Sequence, residues 1–361
     1  MRITQLDVVG RDIPLADEFP VSYEDHETTD HVFVRLHTSD GLVGYGEGTA
    51  LPWFTGETTD SMISFVEDWL RPRVEGETLR TAIKELALFS AEFPGNPGGE
   101  SAVELALLDL RGKQAGVPVS NLLGVTYRDT VPCVYPVPGL SPARARNVTE
   151  EGLRAGFSRF KIKATGDVTS DVARIEAVLD SLPAEATARI DVNTGWDSYP
   201  NAKRAVAAID DTSSIEYFEQ PVAADRPADL QKLWEETGIP VYADEFVHGP
   251  SDVERIGQQG LARGCHLKLA KTGSLRTMAH MARTAGHHGL NAVAVSAFGT
   301  SLEATAVLHL AAVIPSIPLA CELDPSLIAD DPGRPHLTVD PETAVPDKPG
   351  LGVELVNAVF E

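Results

Sequence analysis

From about residue 131 the chain alternates between short apolar, β-rich runs and stretches with helical periodicity. The runs lie at 131–137, 158–163, 187–192, 215–219, 240–244, 265–269, 292–296 and 318–322. Helix-like segments at 149–156, 170–181, 200–210, 226–237, 250–259, 274–288 and 301–313 fill the intervals. Continuous apolar strands separated by crossover helices call for a parallel sheet covered on both faces. Eight such strands predict a closed barrel, since an open doubly wound sheet usually has fewer. No Gly-x-Gly-x-x-Gly follows any of the runs, so a dinucleotide-binding fold has no support.

Residues 1–125 read differently. Ile3–Val9 alternates, and His31–Leu36 and Leu42–Glu47 flank Ser39-Asp40-Gly41, a hairpin turn signal. Helical patterns follow at 57–73, 77–93 and 100–115. This predicts an α+β unit of antiparallel sheet and helices ahead of a barrel at 126–322. The remainder, 323–361, is Pro- and Asp-rich and ends in Gly350-Leu351-Gly352-Val353-Glu354-Leu355, a short strand expected to pair with the N-terminal sheet.

Active sites of such barrels form at the C-terminal ends of the strands. The polar residues ending successive runs are Lys163, Asp191, Glu219, Asp244, Lys268, Ser296 and Glu322, at intervals of 28, 28, 25, 24, 28 and 26. One such residue per strand–helix unit places them all at one mouth. A single strand-end acid often caps the next helix, but capping does not produce three acids in succession with lysine on either side.

Asp191, Glu219 and Asp244 offer three hard oxygen ligands with coordination positions left open, which suits Mg²⁺, with Mn²⁺ as a substitute. Lysine is scarce here, nine against 21 arginines, yet four lysines fall in Lys161-Ile162-Lys163 and Lys268-Leu269-Ala270-Lys271. Side chains alternate along a strand, so Lys161 and Lys163 point the same way. Neighbouring cations should lower the lysine pKa values and prepare Lys163 and Lys268 as bases on opposite sides of the metal. That arrangement suits removal of a proton α to a carboxylate, with stabilisation of the enediolate.

Composition removes other classes. With 30 basic and 53 acidic residues the net charge is −23, which disfavours nucleic acid and anionic membranes as partners. The acids are spread along the chain, as in proteins adapted to a salt-rich, halophilic cytoplasm. No run of 18 apolar residues is present, and the polar start Met1-Arg2-Ile3-Thr4-Gln5 lacks the apolar stretch of a signal peptide. Cys133, Cys265 and Cys321 are widely spaced within apolar runs and read as buried thiols of a cytoplasmic protein.

The motifs Lys161-Ile162-Lys163, Asp191-Val192-Asn193, Glu219-Gln220-Pro221, Asp244-Glu245 and Lys268-Leu269-Ala270-Lys271-Thr272-Gly273 resemble those of the enolase superfamily, in its muconate-lactonising-enzyme subgroup. The resemblance spans the chain. It implies a (β/α)7β barrel beneath an α+β capping domain, with the tail returning to the cap. It also implies a homo-oligomer that acts on a small carboxylate substrate. Asp191, Glu219 and Asp244 take the ligand role, Lys163 and Lys268 the two-base role, and Lys161 a supporting one.

Gly44-Tyr45-Gly46-Glu47 followed by Phe54-Thr55-Gly56-Glu57-Thr58 is similar to the cap of dipeptide epimerases, and Glu322-Leu323-Asp324 to their substrate-binding acid pair. Glu322 in place of Asp is closer to the cycloisomerase pattern. In the cap loop Pro20–Thr29, Glu24 and Asp25 disfavour an acidic substrate side chain. Ser296 and Phe54 complete the expected substrate contacts. The leading expectation is racemisation or epimerisation of a dipeptide or N-acyl amino acid. Alternatives are a muconate-type cycloisomerase, a lyase similar to o-succinylbenzoate synthase, and a catalytically silent binding barrel.

Overall fold

The computed structural model describes residues 1–20, 25–315, 319–323 and 325–361, with backbone alone at 17–20 and 25–26. The cap is a three-stranded antiparallel sheet, β1 (Ile3–Pro20), β2 (Asp25–Thr38) and β3 (Val43–Ala50), in the order β1-β2-β3. Gly41 takes φ +82° in the predicted β2–β3 turn.

Glycine at every second position of β3 has a packing reason. Gly44, Gly46 and Gly48 face the helix Pro97–Ala115, and a Cβ at each would overlap the carbonyl of Ala106, Ala102 and Gly98 respectively. Two strand residues advance about 6.6 Å and four helical residues about 6 Å, so the two spacings match along the contact. The predicted helix 57–73 is instead three pieces, Thr59–Phe65, a π-turn Val66–Leu70, and Arg71–Val74. Pro72 explains the break, because its ring cannot sit inside a regular helix without a local change of winding.

After the cap helices comes β4 (Thr130–Pro132). A parallel sheet comprises β5 (Tyr135–Val137), β6 (Arg159–Lys163), β7 (Thr187–Asp191), β8 (Ile215–Glu219), β9 (Val241–Ala243), β10 (Gly264–Lys268) and β11 (Asn291–Val295), hydrogen-bonded in that order. The chain therefore has an α/β fold with seven parallel strands and crossover helices. Cys321 bridges Cys133 beside β5, and Glu322 bridges Val295 on β11. Four backbone hydrogen bonds of 2.7–3.1 Å make these bridges, joining Cys321 to Pro132 and Val134, and Glu322 to Ala294 and Ser296. The helix Ser301–Val313 is buried on all sides, and its sequence is apolar except at Ser301, Glu303, Thr305 and His309.

Three short strands follow, β12 (Gly333–Arg334), β13 (Glu342–Ala344) and β14 (Glu354–Leu355). The expected pairing of the final strand with the cap sheet does not occur: β14 pairs with β12. Both edges of the cap sheet are already used. On β1, Leu6 donates to Glu75 and Ile3 to the Glu77 carbonyl; on β3, Tyr45 N–H donates to Asp109 Oδ2 at 3.1 Å. The tail meets the cap through side chain and turn instead, with Leu351 N–H on Asp109 Oδ1 at 2.9 Å and Val119 N–H on the Gly350 carbonyl at 2.9 Å.

Candidate active site

The strand register brings the predicted residues together. Lys163 pairs with Asp191 across β6–β7, and Asp191 with Glu219 across β7–β8, so three chemically active strand ends stand level. Lys161 Nζ lies 2.8 Å from Asp191 Oδ2, 2.9 Å from Glu219 Oε2 and 2.5 Å from Glu322 Oε2. Lys163 Nζ donates to Asp191 Oδ2 at 2.6 Å and to Asn193 Oδ1 at 3.0 Å. On the far side Lys268 Nζ donates to Asp244 Oδ2, and Lys271 Nζ reaches Asp244 Oδ1 at 2.6 Å. All three predicted acid ligands are fully buried.

A cation suits this set. Asp244 and Asp191 are each tied to lysines, but neither oxygen of Glu219 receives a well-formed hydrogen bond among the described residues. Its nearest positive charge, Lys161 Nζ, is shared with Asp191 and Glu322, so this buried carboxylate is under-compensated. Burial, then the charge of Asp191, pushes the Glu219 pKa far up. A second acid cluster, Glu219, His266 and Glu322, has donor atoms within 4.8 Å of one another. There Lys161 and Arg189 already occupy the cation's role, with Arg189 Nη1 on Glu322 Oε1 at 3.2 Å. The open demand for positive charge is therefore at Glu219, on the strand between those that carry Asp191 and Asp244.

The expected lowering of the lysine pKa values is reversed at two positions. Burial opposes the charge on Lys161, but Asp191, Glu219 and Glu322 outweigh it and raise its pKa. Lys268 is raised in the same way, with Asp244 overcoming burial. Carboxylates stand nearer to each ammonium than the other lysines do. Conversely, burial is outweighed at Asp191 by Lys161, Lys163 and Lys268, and at Asp244 by Lys268 and Lys271, which hold both acids low.

Lys161, Lys163, Asn193, Lys268, Ser296 and Glu322 line one cavity together with the apolar Leu51, Phe54, Val134, Phe298, Leu323 and Leu327, around about 700 Å³ of empty volume that includes open solvent. Phe54 comes from the cap, and Lys268 Nζ lies 4.4 Å from its ring centroid. Ser296 is buried at this mouth. Glu24 and Asp324, expected to contact substrate, lie outside the described residues.

Other residues escaped the strand-end reading. Two positions before successive ends, alongside the already expected Lys161, sit Arg189, Tyr217, Tyr242 and His266, all buried, forming a layer beneath the mouth. Arg189 Nη2 reaches Glu216 Oε2 at 3.2 Å, and the Tyr217 and Tyr242 rings stack at 3.9 Å. Strand alternation would have found this layer, since positions i and i−2 share a face. Asn193 and Gln220, just past their strands, take φ +44° and +35°. Gln220 Oε1 accepts from Asp244 N–H at 2.9 Å, and Asn193 Nδ2 donates to Glu245 Oε1 at 3.0 Å, orienting the acid-bearing segments.

A mouth of three acids between lysine pairs, on an α/β sheet beneath an α+β cap, defines the enolase class of barrel-like enzymes. Residues 143–359 match the family described as Enolase C-terminal domain-like, and residues 3–124 match the Mandelate racemase / muconate lactonizing enzyme, N-terminal domain. The chain belongs to this family, and it is an isomerase of the enolase superfamily.

It is 29% identical to N-succinyl-L-Arg/Lys racemase of Bacillus cereus, over 98% of this chain and 96% of that protein. It is 31% identical to L-Ala-D/L-Glu epimerase of Bacillus subtilis (98% and 97%) and 27% identical to chloromuconate cycloisomerase of Pseudomonas putida (98% and 97%). The crystal structure of the Bacillus cereus racemase superposes with a TM-score of 0.92, at 28% identity over 100% of this chain and 97% of that one. Dipeptide epimerase from Enterococcus faecalis, complexed with Mg and L-Leu-L-Tyr, gives 0.91 at 25% identity, over 98% and 100%. Among the described residues, no helix is long and apolar enough to cross a membrane.

Proposed function

We propose that the chain racemises or epimerises an N-acyl amino acid or dipeptide by a two-base mechanism, with Lys163 and Lys268 as the bases. The observation that carries this reading is their placement at opposite ends of the acid row, Lys163 on Asp191 and Lys268 on Asp244, with Glu219 between. One neutral lysine takes the α-proton at its Nζ from one face, and the ammonium of the other delivers a proton to the opposite face. Lys161, fixed by three carboxylates, offers its charge to the substrate carboxylate. Phe54 and Leu51 of the cap exclude water above the reacting carbon.

Asp191, Glu219 and Asp244 would hold Mg²⁺, or Mn²⁺ in its place. When bound, the ion supplies positive charge beside the substrate carboxylate, which acidifies the neighbouring C–H.

Cavity chemistry narrows the substrate. Among the described lining residues the cations are Lys161, Lys163 and Lys268, each already assigned, and the rest of the wall is largely apolar. This supports a substrate with one carboxylate and an uncharged, partly apolar body. A dicarboxylate would call for a further cation. Glu322 is neutralised by Lys161 and Arg189, which supports an N-acyl group over a free ammonium at that wall.

A muconate-type cycloisomerase is the second reading, favoured by Glu322 itself. The proposal also covers a closed (β/α)7β barrel, supported by the bridges from Cys321 to Cys133, just before β5, and from Glu322 to Val295 of β11. It covers a division near residue 125, supported by the family limits at 124 and 143. It further covers a cytoplasmic protein, supported by three buried free thiols, and a homo-oligomer, an expectation drawn from the family resemblance.

The test is deuterium uptake from D₂O at the α-carbon of a panel of N-acyl amino acids and dipeptides with Mg²⁺, read by mass spectrometry. Uptake should fall by ~10²–10⁴-fold in Lys163→Ala and in Lys268→Ala. Lactonisation of muconate with no uptake by any panel member would replace this reading with the second one.

A further inference from the structure

One wall of the cavity is built from the turn 296–300, which links β11 to the helix Ser301–Val313. Phe298 in this turn takes φ +58°. A bulky residue in the left-handed region persists only where its surroundings impose it. Ser296, Ala297 and Phe298 all line the cavity.

What imposes the turn is a buried polar chain from the cap. Glu47 on β3 takes four hydrogen bonds: His31 Nδ1 at 2.9 Å, Thr300 N–H at 2.8 Å, Thr300 Oγ1 at 2.6 Å and Glu303 N–H at 3.0 Å. This carboxylate therefore caps the helix that follows the turn. Behind the turn, Glu303 is fully buried and receives Ser296 Oγ at 3.3 Å on one oxygen and Thr49 Oγ1 of β3 at 2.9 Å on the other. Gly299 leaves the room this requires, because a Cβ there would stand 2.5 Å from Ser296 Oγ and 2.7 Å from Glu303 Cβ. Burial, then the negative Glu47, pushes the Glu303 pKa up to about 8, so at neutral pH it is largely the uncharged acid.

We propose that Glu303 is a positioning residue: by holding Ser296 and cap residue Thr49 together it fixes the 296–300 turn, and so sets the Ser296–Phe298 wall that selects substrates by bulk. Glu303 is shielded from the cavity by the turn and acts through it. The selectivity part rests on the racemase reading above; the fixing of the turn does not.

The experiment compares wild type, Glu303→Gln, Glu303→Ala and Thr49→Val. One arm measures kcat and KM for α-deuterium exchange on N-succinyl-alanine and N-succinyl-phenylalanine. The other measures backbone hydrogen exchange across 296–300, with thermal unfolding as the control for folding. Glu303→Ala and Thr49→Val should change the preference between the two substrates by ~10-fold through KM, with kcat within about threefold. They should also speed hydrogen exchange of the turn by ~10-fold while other loops stay unchanged. Glu303→Gln keeps an acceptor and a donor in the same volume and should restore both readouts.

Unchanged turn protection in the folded Ala and Val variants, or a Gln variant as impaired as the Ala one, would overturn the proposal. So would equal losses on both substrates with the preference intact. Should wild type exchange neither N-succinyl substrate, the racemase reading fails instead, and turn protection alone decides the role of Glu303.

Discussion

Between β6 and β10 the mouth sets Asp191, Glu219 and Asp244 against four lysines, whereas between β3 and β11 it sets Glu47 and Glu303 beside a single imidazole, His31. Both walls bury acids completely. In the first, charge is compensated by charge, and Glu219, which receives no well-formed hydrogen bond and shares Lys161 with Asp191 and Glu322, is the least compensated of the three. In the second, one acid is satisfied by hydrogen bonds at a helix start and the other by taking up a proton. Compensated charges suit the proposed role of this wall, which would bind and release a cation and a carboxylate. A hydrogen-bonded seam suits a wall that has to stay still.

Mg²⁺ binding followed by calorimetry should separate the two walls most sharply. Asp244→Asn is expected to weaken binding by more than the roughly 100-fold that loss of an outer-shell partner costs, while Glu47→Gln leaves it near wild type. Equal weakening by both would erase the distinction.

Next in size is the layer under the charged wall. Arg189 is buried against Glu322 and Glu216, and Arg189→Met leaves both acids short of a cation. Denaturant unfolding should show a loss of about 3–5 kcal/mol. A loss within the error of the titration would mean that Lys161 alone compensates Glu322.

The smallest effect is a pH dependence on the other wall. Glu303 has a folded pKa raised to about 8 from 4.5. The stability it contributes is complete below about pH 4.5 and is lost as pH rises through 8. The charged and titratable groups facing it are Glu47 and, through Glu47, His31; no ion pair to Glu303 is present among the described residues. Glu303→Gln removes this titration, so the wild-type midpoint should fall relative to the variant between pH 5 and 8. A constant difference across that range would place the proton elsewhere.

Much of the charged wall is legible in the chain itself. Strand ends recur once per unit, and polar residues at those ends in the order Lys, Asp, Glu, Asp, Lys have few purely structural explanations. The layer beneath is legible by the same rule applied two residues earlier, as Arg189, Tyr217 and His266 show. The seam is not. Glu47 and Glu303 lie 256 residues apart on elements of different type, and nothing periodic relates them. The pairing of β14 differs from the sequence expectation for a related reason: Glu75 and Asp109, distant in the chain, occupy the edges of the cap sheet.

The parallel strands and crossover helices, the acid row with lysines at either end, and hence the expectation of proton chemistry next to a carboxylate were all written in the order of residues along the chain. These are local patterns repeated along the chain, fixed by alternation and by the length of each strand–helix unit. How the cap meets the parallel sheet, which acids keep their protons, and which residues wall the cavity emerged only from the folded chain. Those outcomes depend on burial and on contacts between distant segments, and burial sets the energy of a charge only once the whole chain has closed around it.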